Sequence, residues 1–174
     1  MLAVEPLQQE WAVTAADPEA FANEHRLALE VETDLLRGVA NQTLALFQRT
    51  GVTTQPWSEF LSVDRVSHSI VGTCCFVAPP DSDGVVEIAY FTFPGYEGRG
   101  VASAMAAGLV ERARGVDGVR NLRAYTLPDK NASTRVLEKV GFRCLGDVIH
   151  PEDGPVWRWE RDPIPSQLLQ RADR

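Results

Sequence analysis

The residues best equipped for chemistry lie between Gly84 and Val110. There GVVEIAYFTFPGYEGRGVASAMAAGLV carries an apolar strand through a proline and a Gly-Arg-Gly turn straight into an amphipathic helix. Glycines at 98 and 100 let a main chain approach a ligand closely, and the amides of Gly98, Arg99, Gly100, Val101, Ala102 and Ser103 would gather at the positive end of the new helix. Such a turn is a cradle for an anion, phosphate above all. It is not the dinucleotide fingerprint, because its third small position is Ser103 and no acidic ribose partner is placed. It is not a P-loop either, since neither Lys130 nor Lys139, the two lysines of the chain, follows the turn.

A second motif, LPDKNASTRVLEKVGF from Leu127 to Phe142, reads as a short capped helix. Asn131 and Ser133 stand at its start and Gly141 at its end. Ala132, Val136 and Val140 recur at helical spacing with Leu137 beside them, which predicts a packed face there and solvent at Arg135, Glu138 and Lys139.

These two motifs, in this order, resemble the GNAT superfamily of acyl-CoA-dependent N-acyltransferases, and within it the branch of the ribosomal-protein N-terminal acetyltransferases. The family pattern Q/R-x-x-G-x-G/A, which holds the coenzyme A pyrophosphate, falls on Glu97 to Ala102, with Glu97 departing from the usual Gln or Arg. The resemblance implies an acetyl-CoA cosubstrate whose phosphates rest on the Gly98–Ser103 cradle with help from Arg99. It further implies pantetheine contacts to the backbone of Tyr90, Phe91 and Thr92 and to Asn131, which stands one residue closer to the serine than in the usual N-x-A-S element.

Acetyl transfer to an amine needs a base, because an alkylamine with a pKa near ~10 is almost wholly ammonium at neutral pH. Glu87 is the candidate: it is the one charged residue in the strand Val85 to Phe93, whose two faces both read as buried. The competing reading has Glu87 anchoring a neighbouring arginine or amide. Ser133 is the candidate donor to the departing thiolate, against the alternative of a helix cap. Other family members use a tyrosine further along this helix, where this chain has Glu138. Tyr125 is a third candidate for either proton step, its alternative being strand packing. The acceptor is expected to be a small-molecule amine or a protein N-terminus, with Glu24, His25, Glu30, Glu32 and Asp34 forming an acidic rim. A GNAT-like module that binds acyl-CoA without transfer, or a transferase for another acyl group, is the competing reading.

Composition sets limits on partners. The chain has 174 residues, 44% of them hydrophobic, and a net charge of −7, which suits a single domain with a real core. No basic run with interleaved aromatics points to nucleic acid. The opening MLAVEPLQQEW reads as no secretion signal, and no apolar run approaches the ~20 residues of a membrane helix, so a cytoplasmic protein with no membrane partner is expected. A homodimer is the assembly kept open. Cys74, Cys75 and Cys144 form no disulfide framework and read as buried thiols. His25, His68 and His150 are scattered without metal-ligand spacing, so no metal is expected.

The elements that must position these residues read as an α/β (α+β) domain over 1–160 with a peripheral tail over 161–174. An opening strand is expected at Trp11 to Ala15, then helix from Pro18 to Thr50 with a break near Gly38, then strands at Phe60 to Arg65, Ser69 to Ala78 and Val85 to Phe93. Helix from Gly100 to Arg114, a strand at Leu122 to Leu127, the short helix, and a closing hairpin around PEDG complete the order. Trp157 and Trp159 share one face of that hairpin and read as core. The order resembles the GNAT fold, a mixed, mostly antiparallel sheet flanked by helices.

Overall fold

The computed structural model describes residues 1–4, 8–50, 57, 59–114 and 116–162. Its elements run β1 (Leu2–Val4), α1 (Gln8–Ala16), α2 (Pro18–Glu24), α3 (Thr33–Thr50), β2 (Glu59–Val63), β3 (Ile70–Phe76), β4 (Val85–Thr92), α4 (Val101–Ala113), β5 (Asn121–Thr126), α5 (Ala132–Lys139), β6 (Arg143–His150) and β7 (Gly154–Arg161). The strands form one sheet in the order β1-β2-β3-β4-β5-β7-β6. Every neighbouring pair is antiparallel except β4 and β5. This is the mixed, mostly antiparallel sheet expected from the sequence.

Each face of the sheet has its own core, because successive strand residues point to opposite sides. On one face Phe60, Phe76, Val86, Ile88, Leu122 and Trp159 pack with Met105 and Leu109 of α4 and Leu137 of α5. On the other, Leu61, Ile70 and Phe93 pack with Trp11 of α1, Phe21 of α2 and Leu36, Ala40 and Phe47 of α3. Trp159 is a core residue, whereas Trp157 is half-buried and donates from Nε1 to Asp147 Oδ1 at 3.0 Å.

Several expectations fail, for local reasons. Trp11 to Ala15 is helix, not strand: Trp11 and Thr14 are both fully buried at helical spacing while Val13, which a strand would align with Trp11, is exposed. The expected helix from Pro18 does not run on to a break at Gly38. It begins on an Asp17 cap that accepts from Ala20 N and ends near Arg26, held at φ 56°. Ala28 then bridges to the sheet, and α3 passes through Gly38 without interruption. The strand Val85 to Phe93 is not buried on both faces: Ala89 and Phe91 are exposed, so one side of β4 is open. Cys74 and Cys75 are buried as expected, but Cys144 is exposed.

Arg161 closes β7 and donates to the Val140 carbonyl, so the strand reaches one residue into the expected tail. The remainder of that tail beyond Asp162 lies outside the described residues. Among the described residues no helix is long and apolar enough to cross a membrane.

Candidate functional site

The parallel pair at the centre of the sheet is short. β4 pairs with β3 from Ile88 to Thr92, yet its ladder with β5 covers only Val85 to Glu87 against Asn121 to Arg123. Beyond Glu87 the two strands part. Glu87 O accepts from Val77 N at 2.9 Å and Phe93 N donates to Val71 O at 3.0 Å, so odd-numbered residues turn their peptide groups toward β3. By the alternation of a strand, the N–H and C=O groups of Tyr90 and Thr92 face the gap that β5 has left. Thr92 Oγ1 is also buried without a hydrogen-bond partner.

This gap opens into a cleft of about 420 Å³ between the end of β4, the start of α4 and one face of α5. At its end, Gly98 (φ 73°) and Gly100 (φ 81°) adopt left-handed backbone, and a Cβ at either would meet nothing within 4 Å. Gly100 caps α4 with no side-chain hydrogen bond, and Ala104 N is the donor that reaches back to Gly100 O at 3.0 Å. The amides of Val101, Ala102 and Ser103 precede the first intrahelical bond and so stand at the positive helix end. Two cations, Arg135 and Lys139, line the same cleft from α5. Together these features fit a ligand with an extended amide-bearing arm and a polyanionic end.

Several expected site residues meet here. Tyr90, Phe91, Thr92, Gly98, Gly100 and Val101 all line the cleft, as do Ala102, Ser103 and Ser133. Arg99 does not. Its guanidinium stacks 5.3 Å from the Tyr96 ring centroid, on the flank that holds Asp64, Ser67 and Val71. Glu97 borders the cleft but turns its carboxylate back on the loop, accepting from Gly95 N at 2.7 Å. Asn131 is engaged in a capping box: its Oδ1 accepts from Thr134 N at 3.1 Å and its Nδ2 donates to Asp129 Oδ1 at 2.9 Å.

Because Asn131 and Thr134 carry that cap, the hydroxyl of Ser133 takes no part in it. Tyr90 ties β4 to this helix by donating to Ser133 O at 3.5 Å, and burial pushes its phenol up to about 12, so it remains protonated. The stripe Ala132, Val136, Val140 is only partly the packed face. Thr134 and Leu137 enter the core and Val140 packs against it, while Ala132 and Val136 line the cleft. Arg135 and Lys139 escaped the sequence reading for that reason; their one-turn spacing beside Val136 was the signal available.

On the opposite face of the sheet, Glu87 stands in register with Arg123, but Arg123 is committed elsewhere. Its Nε and Nη2 both lie 3.2 Å from Glu160 Oε1. Glu87 makes no ion pair among the described residues. Burial raises its pKa, and the nearby charges of His150 and Arg123 offset this in part. Tyr125, two residues along β5 from Arg123, stacks on His150 with ring centroids 4.8 Å apart. The amides of Glu152 and Asp153 lie 3.3 and 3.2 Å from His150 Nδ1, and Asp153 Oδ2 lies 3.1 Å from the same nitrogen. Glu87, Tyr125 and His150 thus share one face at the point where β4 and β5 part, and His150 is the member that its isolated place in the sequence hid.

The acidic rim is dispersed. Glu30 accepts from the Tyr96 hydroxyl at 2.7 Å, His25 lies 3.3 Å from Glu10 and packs on Phe21, and Asp34 lies 3.6 Å from Arg37. Among the described residues no group of three or more His, Cys, Asp or Glu could hold a metal ion.

Residues 7–143 match the family model of the acetyltransferase (GNAT) domain. Among curated sequences, an uncharacterized N-acetyltransferase of Bacillus subtilis, YjdG, is 28% identical over 89 residues, which is 51% of this chain and 53% of that protein. The match thus spans about half the length of that relative. Among solved structures, the aminoglycoside acetyltransferase AAC(6')-Ib in complex with coenzyme A superposes with a TM-score of 0.65 at 17% identity, covering 99% of this chain and 98% of that one. The ribosomal L7/L12 alpha-N-protein acetyltransferase RimL, also with coenzyme A, gives 0.59 at 15% identity, with 92% of each chain covered. At these identities the likeness is one of fold.

Proposed function

Since the chain belongs to the GNAT acetyltransferase family, we propose that it transfers an acetyl group from acetyl-CoA to a primary amine by direct attack in a ternary complex. The observation that carries this is the unpaired edge of β4, where the peptide groups of Tyr90 and Thr92 face a gap leading to the left-handed Gly98–Gly100 turn and the start of α4. A pantetheine arm is itself an amide chain and can pair with such an edge as a further strand would. Its phosphates would rest on the amides of Val101 to Ser103, with Arg135 and Lys139 as the cations in place of the expected Arg99.

Bound acetyl-CoA supplies an acyl thioester. The ammonium of the acceptor loses two protons as its nitrogen bonds the acetyl carbon and the C–S bond breaks: one passes to Glu87 and on to solvent, the other to the departing sulfur. Glu87 suits the first role because it is half-buried, without an ion pair among the described residues, and raised in pKa by burial. Ser133 can donate to the sulfur, its hydroxyl being outside the helix cap. A cytoplasmic setting is in keeping with three free thiols.

Calorimetric titration of acetyl-CoA followed by a free-thiol assay over a panel of amines tests this. Micromolar binding with amine-dependent thiol release is expected. Binding without release for any amine would favour the non-catalytic acyl-CoA module, and no binding would overturn both readings.

A further inference from the structure

Beside β4, on the face opposite α4, lies a groove of about 380 Å³ lined by Asp34, Leu35, Gly38, Val39, Gln42 and Phe91. Two of its features set it apart. Phe91, on a central strand, is 47% exposed and covered on one side only, where its ring meets Phe93 edge-on with centroids 5.7 Å apart. Gly38 sits inside a helix of 18 residues, where glycine is among the poorest helix formers, yet a Cβ there would touch nothing within 4 Å and its backbone is not left-handed. Both residues keep the same space open. Phe91 also lines the cleft described above, so the groove and that cleft meet at one side chain. Along β4, Ala89 and Glu87 continue the face of Phe91 at two-residue spacing, about 7 Å per step, and Ala89 is exposed.

Leu35, Gly38, Val39 and Phe91 make an apolar floor, with Asp34 and Gln42 at its edge. A cationic centre is accommodated on the Glu87 side, whereas Asp34, 96% exposed and 3.6 Å from Arg37, is shared with water and would hold a second cation only weakly. We propose that this groove holds the apolar body of the acceptor, which is a small primary monoamine carrying an aryl or branched alkyl group about two carbons from its nitrogen. Its nitrogen lies near Ala89, within a water of Glu87, and its apolar group lies between Phe91, Leu35 and Gly38. This rests on the acetyl-transfer reading above.

The test compares 2-phenylethylamine and 3-methylbutylamine with spermidine, kanamycin and a ten-residue peptide, using full-length protein and saturating acetyl-CoA in a free-thiol assay. The two monoamines are expected to exceed the others in kcat/KM by ~10²-fold, the scale on which an apolar pocket discriminates. Gly38→Leu, which fills the groove, should raise the monoamine KM by ~10-fold or more while kcat and the acetyl-CoA Kd change less than ~3-fold. Gly38→Ala, which fills less of the space, should raise that KM by less than Gly38→Leu does, and both variants should melt no lower than wild type. Preference for spermidine, kanamycin or the peptide, or an unchanged KM in Gly38→Leu, would overturn the groove assignment and leave acetyl transfer standing. Failure of the wild type to bind acetyl-CoA by calorimetry would instead remove the acetyl-transfer reading, and this inference with it.

Discussion

Replacing Glu87 by Gln removes a proton acceptor and little else, which makes its effect calculable. Among the described residues the carboxylate makes no ion pair that the amide would break, since Arg123 is held by Glu160. At pH 7 an alkylamine of pKa ~10 is free base in about one molecule per 10³. Wild type, with a base, draws on the abundant ammonium; the variant must wait for free amine. The expected loss in kcat/KM is therefore ~10²- to 10³-fold at pH 7 and shrinks about tenfold per pH unit as free amine accumulates. Because burial raises the pKa of Glu87, the ascending limb of the wild-type profile should lie above the ordinary glutamate range, and the variant should lack it. The sign for stability is opposite to that for activity. A carboxyl raised in the folded state favours folding below its unfolded pKa, and this contribution is lost as pH rises through the folded value. At pH 8 the variant should melt no lower than wild type. A free-thiol assay from pH 6 to 9, with acetyl-CoA Kd measured at each end, decides the matter. A loss under ~3-fold, or a larger loss that stays constant with pH, would remove Glu87 from proton transfer.

Arg135→Ala and Lys139→Ala should each weaken acetyl-CoA binding by about tenfold in calorimetry, the scale of one charge-assisted contact, while Arg99→Ala should change Kd by less than ~3-fold because that guanidinium stacks on Tyr96. Ser133→Ala is expected to slow turnover at an unchanged melting temperature. Asn131→Ala, which removes the α5 cap, should instead lose about 1 kcal/mol and ~2–4 °C. Gly72→Ala brings a Cβ to 2.4 Å from Phe91 O and 3.3 Å from Met105 Cε, so it should destabilise the protein by about 1–3 kcal/mol in denaturant melts and weaken acetyl-CoA binding through the displaced β4 edge.

The centre of the molecule was legible because its signals are local and mutually consistent. An apolar run, a glycine turn and a helix start in direct succession define β4, its loop and α4, and a cap with helical spacing defines α5. Misreadings arose where one residue could satisfy two periodicities. Trp11, Val13 and Ala15 alternate as a strand would, and burial of Thr14 beside Trp11 follows only from packing of α1 on α3. Gly38 looked like a breaker, but eighteen residues of helix with Leu36, Ala40 and Phe47 in the core outweigh the local cost of one glycine. Side-chain direction was the least legible quantity. Arg99 lies inside the turn yet aims away from the cleft, whereas Arg135 and Lys139, distant in sequence, aim into it. His150 joins Glu87 and Tyr125 through β6 and β7, a long-range pairing that no short motif encodes.

The brevity of the β4–β5 ladder has a consequence for how the protein unfolds. Two blocks of sheet, β1 to β4 and β5 to β7, share only three register pairs, so side chains carry most of the coupling between them: Val86 and Ile88 meet Leu122 and Trp159 in one apolar core, and α4 packs on both β4 and α5. Cooperative unfolding thus depends on that core more than on backbone pairing across the seam. A molecule seated along the Tyr90–Thr92 edge and on α5 touches both blocks at once. Saturation at a hundred times Kd adds about 2.7 kcal/mol to the folded state, so ligand binding should raise a single melting transition in which the two blocks unfold together.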